Sequence, residues 1–283
     1  MAWTLTDDLD AFRTHAGTFL CARPDVNTTP LSVSAALAGL GMDVYGDVPP
    51  HFGWWRAADG EVAGAFLRTP PYPVALSAMP TEAASALPEA LAGRDPEPPG
   101  VNGPAAAAEA FADAYGRLRG DGDVRVLRHE RLFRLGRLCP PQPSPPGRAR
   151  TATTADRDLL LTWWAAFRRD ADLRPADDRR LIDDRIGGGR MLLWEVGAEP
   201  VAMAARGAPA AGAARVGPVY TPKEQRGRGY GGAVTAALSQ AALDAGADEV
   251  LLFTDLANST SNALYQRLGY RRVGDYTSYA FGA

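Results

Sequence analysis

Arg226-Gly227-Arg228-Gly229-Tyr230-Gly231-Gly232 stands between two stretches of different periodicity. Before it, Ala213 to Tyr220 reads as a strand. After it, Val234, Ala237, Leu238, Ala241 and Ala242 recur at i, i+3, i+4, i+7 and i+8, the spacing of one helix face. A strand, a glycine loop and a helix in that order suit an anionic ligand. Without side chains in the way, successive backbone N–H groups can wrap a phosphate, and the helix N-terminus adds unsatisfied donors and its positive dipole end. Arg226 and Arg228 add charge. A glycine-rich turn with no ligand has the same composition, so the loop alone does not decide.

Two nucleotide motifs compete for these residues. Gly227, Gly229 and Gly232 satisfy G-x-G-x-x-G, but that dinucleotide fingerprint wants its first glycine at the strand end and an acidic residue closing the next strand. Here Pro222 to Arg226 intervene, and Asp248 and Glu249 precede the next strand, Val250 to Thr254. Too little chain follows for the rest of a doubly wound sheet unless the N-terminal part supplies it. A Walker A loop needs Gly-Lys-Ser/Thr. Lys223 is the only lysine and is followed by Glu224, which excludes it.

Downstream, Asn258 or Ser259 caps a last helix that stops at Gly269, with Tyr270 after it. Asn258, Asn262 and Tyr265 lie at i, i+4 and i+7, one helix face. Two amides and a phenol suit an amide-rich chain such as pantetheine, and a protonated phenol near a departing thiolate can act as a general acid. A solvated polar face has the same pattern. Two short strands follow, near Arg271 to Gly274 and Tyr276 to Phe281. Upstream, a helix starts at Thr153 to Asp156 and runs through Leu159 to Phe167, and a shorter one covers Ala176 to Ile186. Met191 to Val196 and Pro200 to Arg206 form a hairpin. The order of these elements predicts an α+β domain with a mixed sheet.

In combination, the two motifs resemble those of the GNAT superfamily, the Gcn5-related N-acetyltransferases. The family's cofactor motif, Arg/Gln-x-x-Gly-x-Gly/Ala, is matched by Arg226, Gly229 and Gly231. Its last helix carries Asn, then Tyr seven residues later, then Gly and an aromatic, as at Asn258, Tyr265, Gly269 and Tyr270. The resemblance covers roughly Arg148 to Ala283, and it looks particularly like bacterial two-domain members. It implies the acyl-CoA N-acyltransferase fold, with acetyl-CoA as co-substrate and an amine as acceptor. It further implies that Val219, Tyr220 and Thr221 offer backbone groups to the pantetheine arm and thioester. Arg226, Gly227, Arg228, Gly229, Tyr230, Gly231 and Gly232 would hold the pyrophosphate. Asn258 would contact the pantetheine region and Asn262 a phosphate or amide, while Tyr265 would protonate the leaving thiolate. Some relatives place a glutamate five residues before the Asn, but that position is Phe253 here. Glu195 and Asp255 remain candidate bases acting through water. A non-catalytic sensor that only holds acetyl-CoA is the alternative implied by the missing base.

The N-terminal half is expected to repeat the order: helices near Asp8 to Arg23 and Leu31 to Leu40, a hairpin near Phe52 to Leu67 and a strand at Val74 to Met79. Helices at Glu82 to Leu91 and Ala105 to Leu118 and a strand at Val124 to Leu135 complete it. The glycine loop's place is taken by Ser77-Ala78-Met79-Pro80-Thr81-Glu82, with no glycine or arginine. The expected organisation is a degenerate GNAT-like domain over residues 1–138, a proline-rich linker over 139–148 and a catalytic domain over 149–283, a tandem repeat. Gly53-Trp54-Trp55 and Phe66 read as core more readily than as an acceptor pocket.

Composition limits the alternatives. A formal net charge of −3 and no run of basic residues argue against nucleic-acid binding. Cys21 and Cys139 cannot make a disulfide scaffold, and His15, His51 and His129 are too scattered for a metal site. No apolar run of the ~18 residues needed to span a bilayer occurs. The expected location is cytoplasmic.

Overall fold

The computed structural model describes residues 1–95, 97–120 and 123–282. In chain order the first half gives β1 (Ala2–Thr6), α1 (Leu9–Ala22), α2 (Thr28–Leu40), β2 (His51–Arg56), β3 (Val62–Arg68), β4 (Val74–Leu76), α3 (Thr81–Leu91), β5 (Gly100–Pro104), α4 (Ala105–Arg119) and β6 (Val124–Leu135). The second gives β7 (Arg148–Thr151), α5 (Arg157–Asp170), α6 (Arg179–Gly187), β8 (Met191–Val196), β9 (Glu199–Arg206), β10 (Ala213–Tyr220), α7 (Tyr230–Asp244), β11 (Glu249–Asp255), α8 (Ser259–Arg267) and β12 (Tyr270–Phe281). The same succession of strand, two helices, three strands, helix, strand, helix, strand occurs twice.

The compact units do not part at the chain midpoint. One holds Met1–Leu132, Asp255–Ala257 and the chain from Val273; the other holds Phe133–Thr254 and Asn258–Arg272. In the first unit the strands lie in the order β1-β2-β3-β4-β5-β12-β6. There β5 pairs antiparallel with β12, from Tyr276 opposite Pro104 to Ala280 opposite Gly100. In the second the order is β6-β11-β10-β9-β8-β7. The first unit thus includes most of β12, from the second half of the chain, while the second takes in only Phe133–Leu135 of β6. One pair in each, β4–β5 and β10–β11, is parallel.

The second unit packs helices on both faces of its strands, and strand alternation decides which. Leu192, Ala202, Ala204, Val216 and Leu252 join Val234 and Leu238 of α7, Tyr265 of α8 and Leu268 just after it. Met191, Leu193, Met203 and Ala205 face Leu160, Trp163 and Trp164 of α5 and Ile182 and Ile186 of α6. Each valine, leucine, isoleucine or methionine among them contributes roughly 1.5–3 kcal/mol by leaving water. In the first unit Phe66, Val74 and Leu76 pack on Ala84, Leu87 and Leu91 of α3 and on Phe111 of α4. Trp54 and Trp55 are buried as well, with Trp3 beside Trp55 and His15 stacked on Trp54.

Several elements depart from the sequence reading. β1, β5 and β7 are additional strands. β5 is Gly-Val-Asn-Gly-Pro, a composition that reads as a turn; it is a strand because Gly100 lies against β12, where a Cβ would meet the Tyr279 carbonyl at 2.0 Å. The two short C-terminal strands are one continuous strand, β12. The expected linker has no helix or strand over residues 139–147, and β7 begins at Arg148.

Candidate active site

β10 and β11 run together from Ala213 opposite Glu249 to Val216 opposite Leu252, and pairing stops there. β10 continues to Tyr220 and β11 to Asp255, so the two strands diverge. The β9–β10 register also shifts between Val216 and Val219. Gly217-Pro218 in mid-strand is the sequence signal for this, since proline has no N–H to give a ladder. The edge of Gly217 to Tyr220 facing β11 is left without a strand partner. Beyond the gap, Val219 packs toward the α7–α8 core and Tyr220 toward the α5–α6 core.

A single 3-10 turn, Lys223–Gln225, leads into the glycine loop. Gly227 and Gly229 have φ of +76° and +83°, the left-handed region that glycine enters without steric cost. Gly229 is the N-cap of α7, and no side chain caps the helix. The first intrahelical bond runs from the Ala233 N–H to the Gly229 carbonyl, 3.1 Å. The N–H groups of Tyr230, Gly231 and Gly232 therefore have no intrahelical acceptor, and no acidic residue stands in that turn. The Tyr230 side chain is core, leaving only its backbone for a ligand. A Cβ on Gly231 would stand 3.2 Å from Thr221 Oγ1, so the loop turns back close onto the end of β10.

The two arginines of the loop differ. Arg226 Nη2 donates to Asp170 Oδ2 of α5 (2.5 Å), Nε donates to the Thr221 carbonyl (3.0 Å), and the guanidinium lies 5.9 Å from the Tyr220 ring centre. This hydrogen bond, with Lys223 nearby, holds the Asp170 carboxyl below its ordinary range. Arg228 is exposed and makes no ion pair among the described residues. It is the loop cation with no competing carboxylate. Asp170 was not legible in the sequence: it lies 56 positions from Arg226 at the end of an ordinary amphipathic helix.

On α8 the predicted polar face is partly turned inward. Asn258 is the N-cap, and its side chain accepts from the Ser261 N–H (3.0 Å). Asn262 Nδ2 donates to the Asn258 carbonyl (2.8 Å). Both side chains thus have duties within the helix. Tyr265 is 8% exposed, inside the α7–α8 core, with the Tyr270 ring centre 6.0 Å away. Burial alone pushes its phenol up to about 12.

Neither candidate base is free. Glu195 is buried and accepts from Arg150 Nε (2.6 Å), which places it in an ion-pair cluster. Asp255 falls in the first unit, where it accepts from the Ala257 N–H (2.7 Å) and lies 3.6 Å from Arg128 Nε. No group of three or more His, Cys, Asp or Glu side chains able to hold a metal ion occurs among the described residues. None of their helices is long and apolar enough to cross a membrane.

Residues 197–279 match the FR47-like protein family, which is GNAT-like. Over the whole chain the fold is that of a GNAT-family acetyltransferase from Colwellia psychrerythraea (12% identity, 100% of both chains, TM-score 0.63). It is equally that of a GCN5-related N-acetyltransferase from Sphaerobacter thermophilus (18% identity, 98% of this chain and 94% of that one, TM-score 0.61). Over the full chain this likeness to GNAT-family acetyltransferases is one of fold. The chain's fold is therefore the mixed-sheet GNAT fold over its full length, in tandem. A curated relative, the mycothiol acetyltransferase of Salinispora tropica, is 39% identical over 75 residues. That alignment covers 25% of this chain and spans about a quarter (24%) of the relative.

Proposed function

We propose that the second unit binds acetyl-CoA at the glycine loop and the β10–β11 gap and transfers the acetyl group to an amine. The observation that carries this reading is the uncapped first turn of α7 beside the unpaired edge of β10. One offers donors to a diphosphate and the other offers donors and acceptors to an amide-rich arm. On this reading the backbone from Arg226 to Gly232 holds the diphosphate, with Arg228 as its countercharge. Arg226 serves through its backbone, its side chain being held by Asp170. Val219, Tyr220 and Thr221 orient the arm and thioester, and backbone N–H groups there stabilise the developing oxyanion.

The chemistry asked of side chains is small. The neutral amine forms its bond to the acyl carbon, the carbon–sulfur bond breaks, and the thiolate takes a proton from Tyr265; the nitrogen of the new amide loses its extra proton to solvent, which reprotonates Tyr265. A phenol held at about 12 keeps that proton through neutral pH. Asn258 and Asn262 act mainly by fixing the start of α8, which sets the position of Tyr265. The pairing of Glu195 with Arg150 and of Asp255 with Arg128 supports an acceptor that arrives as free amine. The same pairing also favours a second reading, a GNAT-derived sensor that holds acetyl-CoA without turnover. Free-thiol release from acetyl-CoA, measured over a panel of small amines, peptides and proteins, separates them. Amine-dependent thiol release supports the enzyme. Tight acetyl-CoA binding with no release on any acceptor supports the sensor.

A further inference from the structure

Residues 139–147, Cys-Pro-Pro-Gln-Pro-Ser-Pro-Pro-Gly, carry no charge. They read as a connector, yet both ends are docked on the second unit. At one end the Cys139 N–H donates to the Leu268 carbonyl and the Gly136 N–H to the Gly269 carbonyl, each at 3.0 Å. At the other, Trp194 Nε1 donates to the Pro146 carbonyl at 2.9 Å. Gly147 lies so near β8 that a Cβ there would meet the Glu195 carbonyl at 2.2 Å.

Between these anchors the segment passes beside the first turn of α7. Pro145 comes within 3.7 Å of where a Cβ on Gly229 would stand, and Pro141 within 3.6 Å for Gly232. Gly229 and Gly232 are the N-cap and third residue of α7, one side of that turn. Gly231, between them, faces Thr221 at the end of β10. The loop thus has the strand end on one side and the proline strap beside Gly229 and Gly232, where Leu264 of α8 also lies close to Gly232 (2.9 Å from its added Cβ). A ligand whose acyl arm leaves along β10 sends its remaining part toward the strap. The strap suits that part. Proline fixes φ, so little conformational freedom is lost on contact, and it presents ring C–H surface and backbone carbonyls without competing N–H donors.

We propose that the 139–147 strap is a wall of the coenzyme site that contacts the nucleotide half of the ligand. The proposal rests on reading the glycine loop as the diphosphate cradle. Pro141 and Pro145 are specificity residues in this assignment, and Trp194 is a positioning residue that acts through Pro146.

Calorimetry with coenzyme A and with 4′-phosphopantetheine, which shares the arm and first phosphate but lacks the nucleotide, tests it. The proteins are the wild-type full chain, the Pro141→Ala/Pro145→Ala double variant and Trp194→Phe, which removes the N–H and keeps a ring. Both variants are expected to bind coenzyme A about tenfold more weakly while 4′-phosphopantetheine affinity stays within about twofold of wild type. Unchanged coenzyme A affinity in both variants overturns the proposal. Equal loss of both ligands also overturns it, since the strap would then only prop the helix. Wild-type protein that binds neither ligand defeats the glycine-loop reading itself, and the strap assignment with it.

Discussion

Tyr265 carries the chemistry of the account, and its burial sets its protonation. Its phenol is raised from 10 to about 12 by desolvation, so the neutral form is favoured in the folded state. Its contribution to stability is whole below pH 10 and is lost as pH rises through about 12. In the working range it is a proton donor, and no alkaline fall in turnover near pH 10 is expected from it. Tyr265→Phe removes only the oxygen. Turnover should fall by on the order of 10²-fold, with acetyl-CoA affinity little changed. Equal turnover of variant and wild type on a substrate shown to be acetylated would remove Tyr265 from the mechanism. Gly229 makes a complementary test. Its φ of +83° disfavours any side chain, but the nearest atoms to an added Cβ are 3.7 Å away, so there is room for one. Gly229→Ala pays only backbone strain of roughly 1–2 kcal/mol, whereas Gly229→Glu also sets a carboxylate among the donors. Calorimetry should show acetyl-CoA binding weakened in the first and abolished in the second. An affinity for Gly229→Glu within about threefold of wild type would sink the loop assignment.

At the scale of elements, β7 is held to β8 and to the start of α5 by one charged cluster. Arg150 donates to Asp156 (2.7 and 2.9 Å) and to Glu195 (2.6 Å), while Asp156 also accepts from the Thr153 N–H (2.7 Å) as half of a capping box. Arg150 holds the Asp156 carboxyl down to about 2 from 3.8. That stabilisation, about 2 kcal/mol, is present above pH 3.8 and is lost as pH falls through about 2. Asp156→Asn should therefore cost about 1–2 kcal/mol at neutral pH and flatten the acid limb of the stability curve. Denaturant titrations from pH 7 to 2 would show this, and parallel acid limbs would contradict it. Gly269 ends α8 at φ +96°, with a Cβ placed 1.8 Å from the Arg137 carbonyl. Gly269→Ala combines strain with overlap on backbone and should lower stability by about 3 kcal/mol or more. Which elements were legible follows from the same physics. α7 and α8 announce themselves by periodicity, glycine entry and capping. β5 and β7 do not, because a glycine-rich strand and a four-residue edge exist only through the neighbours that pair with them.

Over the whole molecule, the chain repeats one order of elements but keeps one set of chemical groups. The tandem fold and the glycine loop could be read from the sequence, because they rest on local spacing. The residence of Val273 onward in the first unit and of Phe133 to Leu135 in the second could not. Strand exchange depends on pairing between residues far apart, and nothing in their local pattern records it. The tie from Asp170 to Arg226 and the docking of Pro141 and Pro145 were hidden for the same reason. In the first half, two of the amides in the place of the glycine loop already have acceptors, and an acid stands at the helix start. The Ser77 N–H donates to the Ala65 carbonyl (2.9 Å) and the Ala78 N–H to Asn27 Oδ1 (3.0 Å), and Glu82 stands in the first turn of α3. We therefore assign one coenzyme site per chain, at the α7 loop. Amide hydrogen exchange with and without acetyl-CoA tests this most directly. The account predicts slowed exchange at residues 219–221 and 227–232, with no change at 77–84. Protection at 77–84, or none at 227–232 under saturating acetyl-CoA, would contradict it.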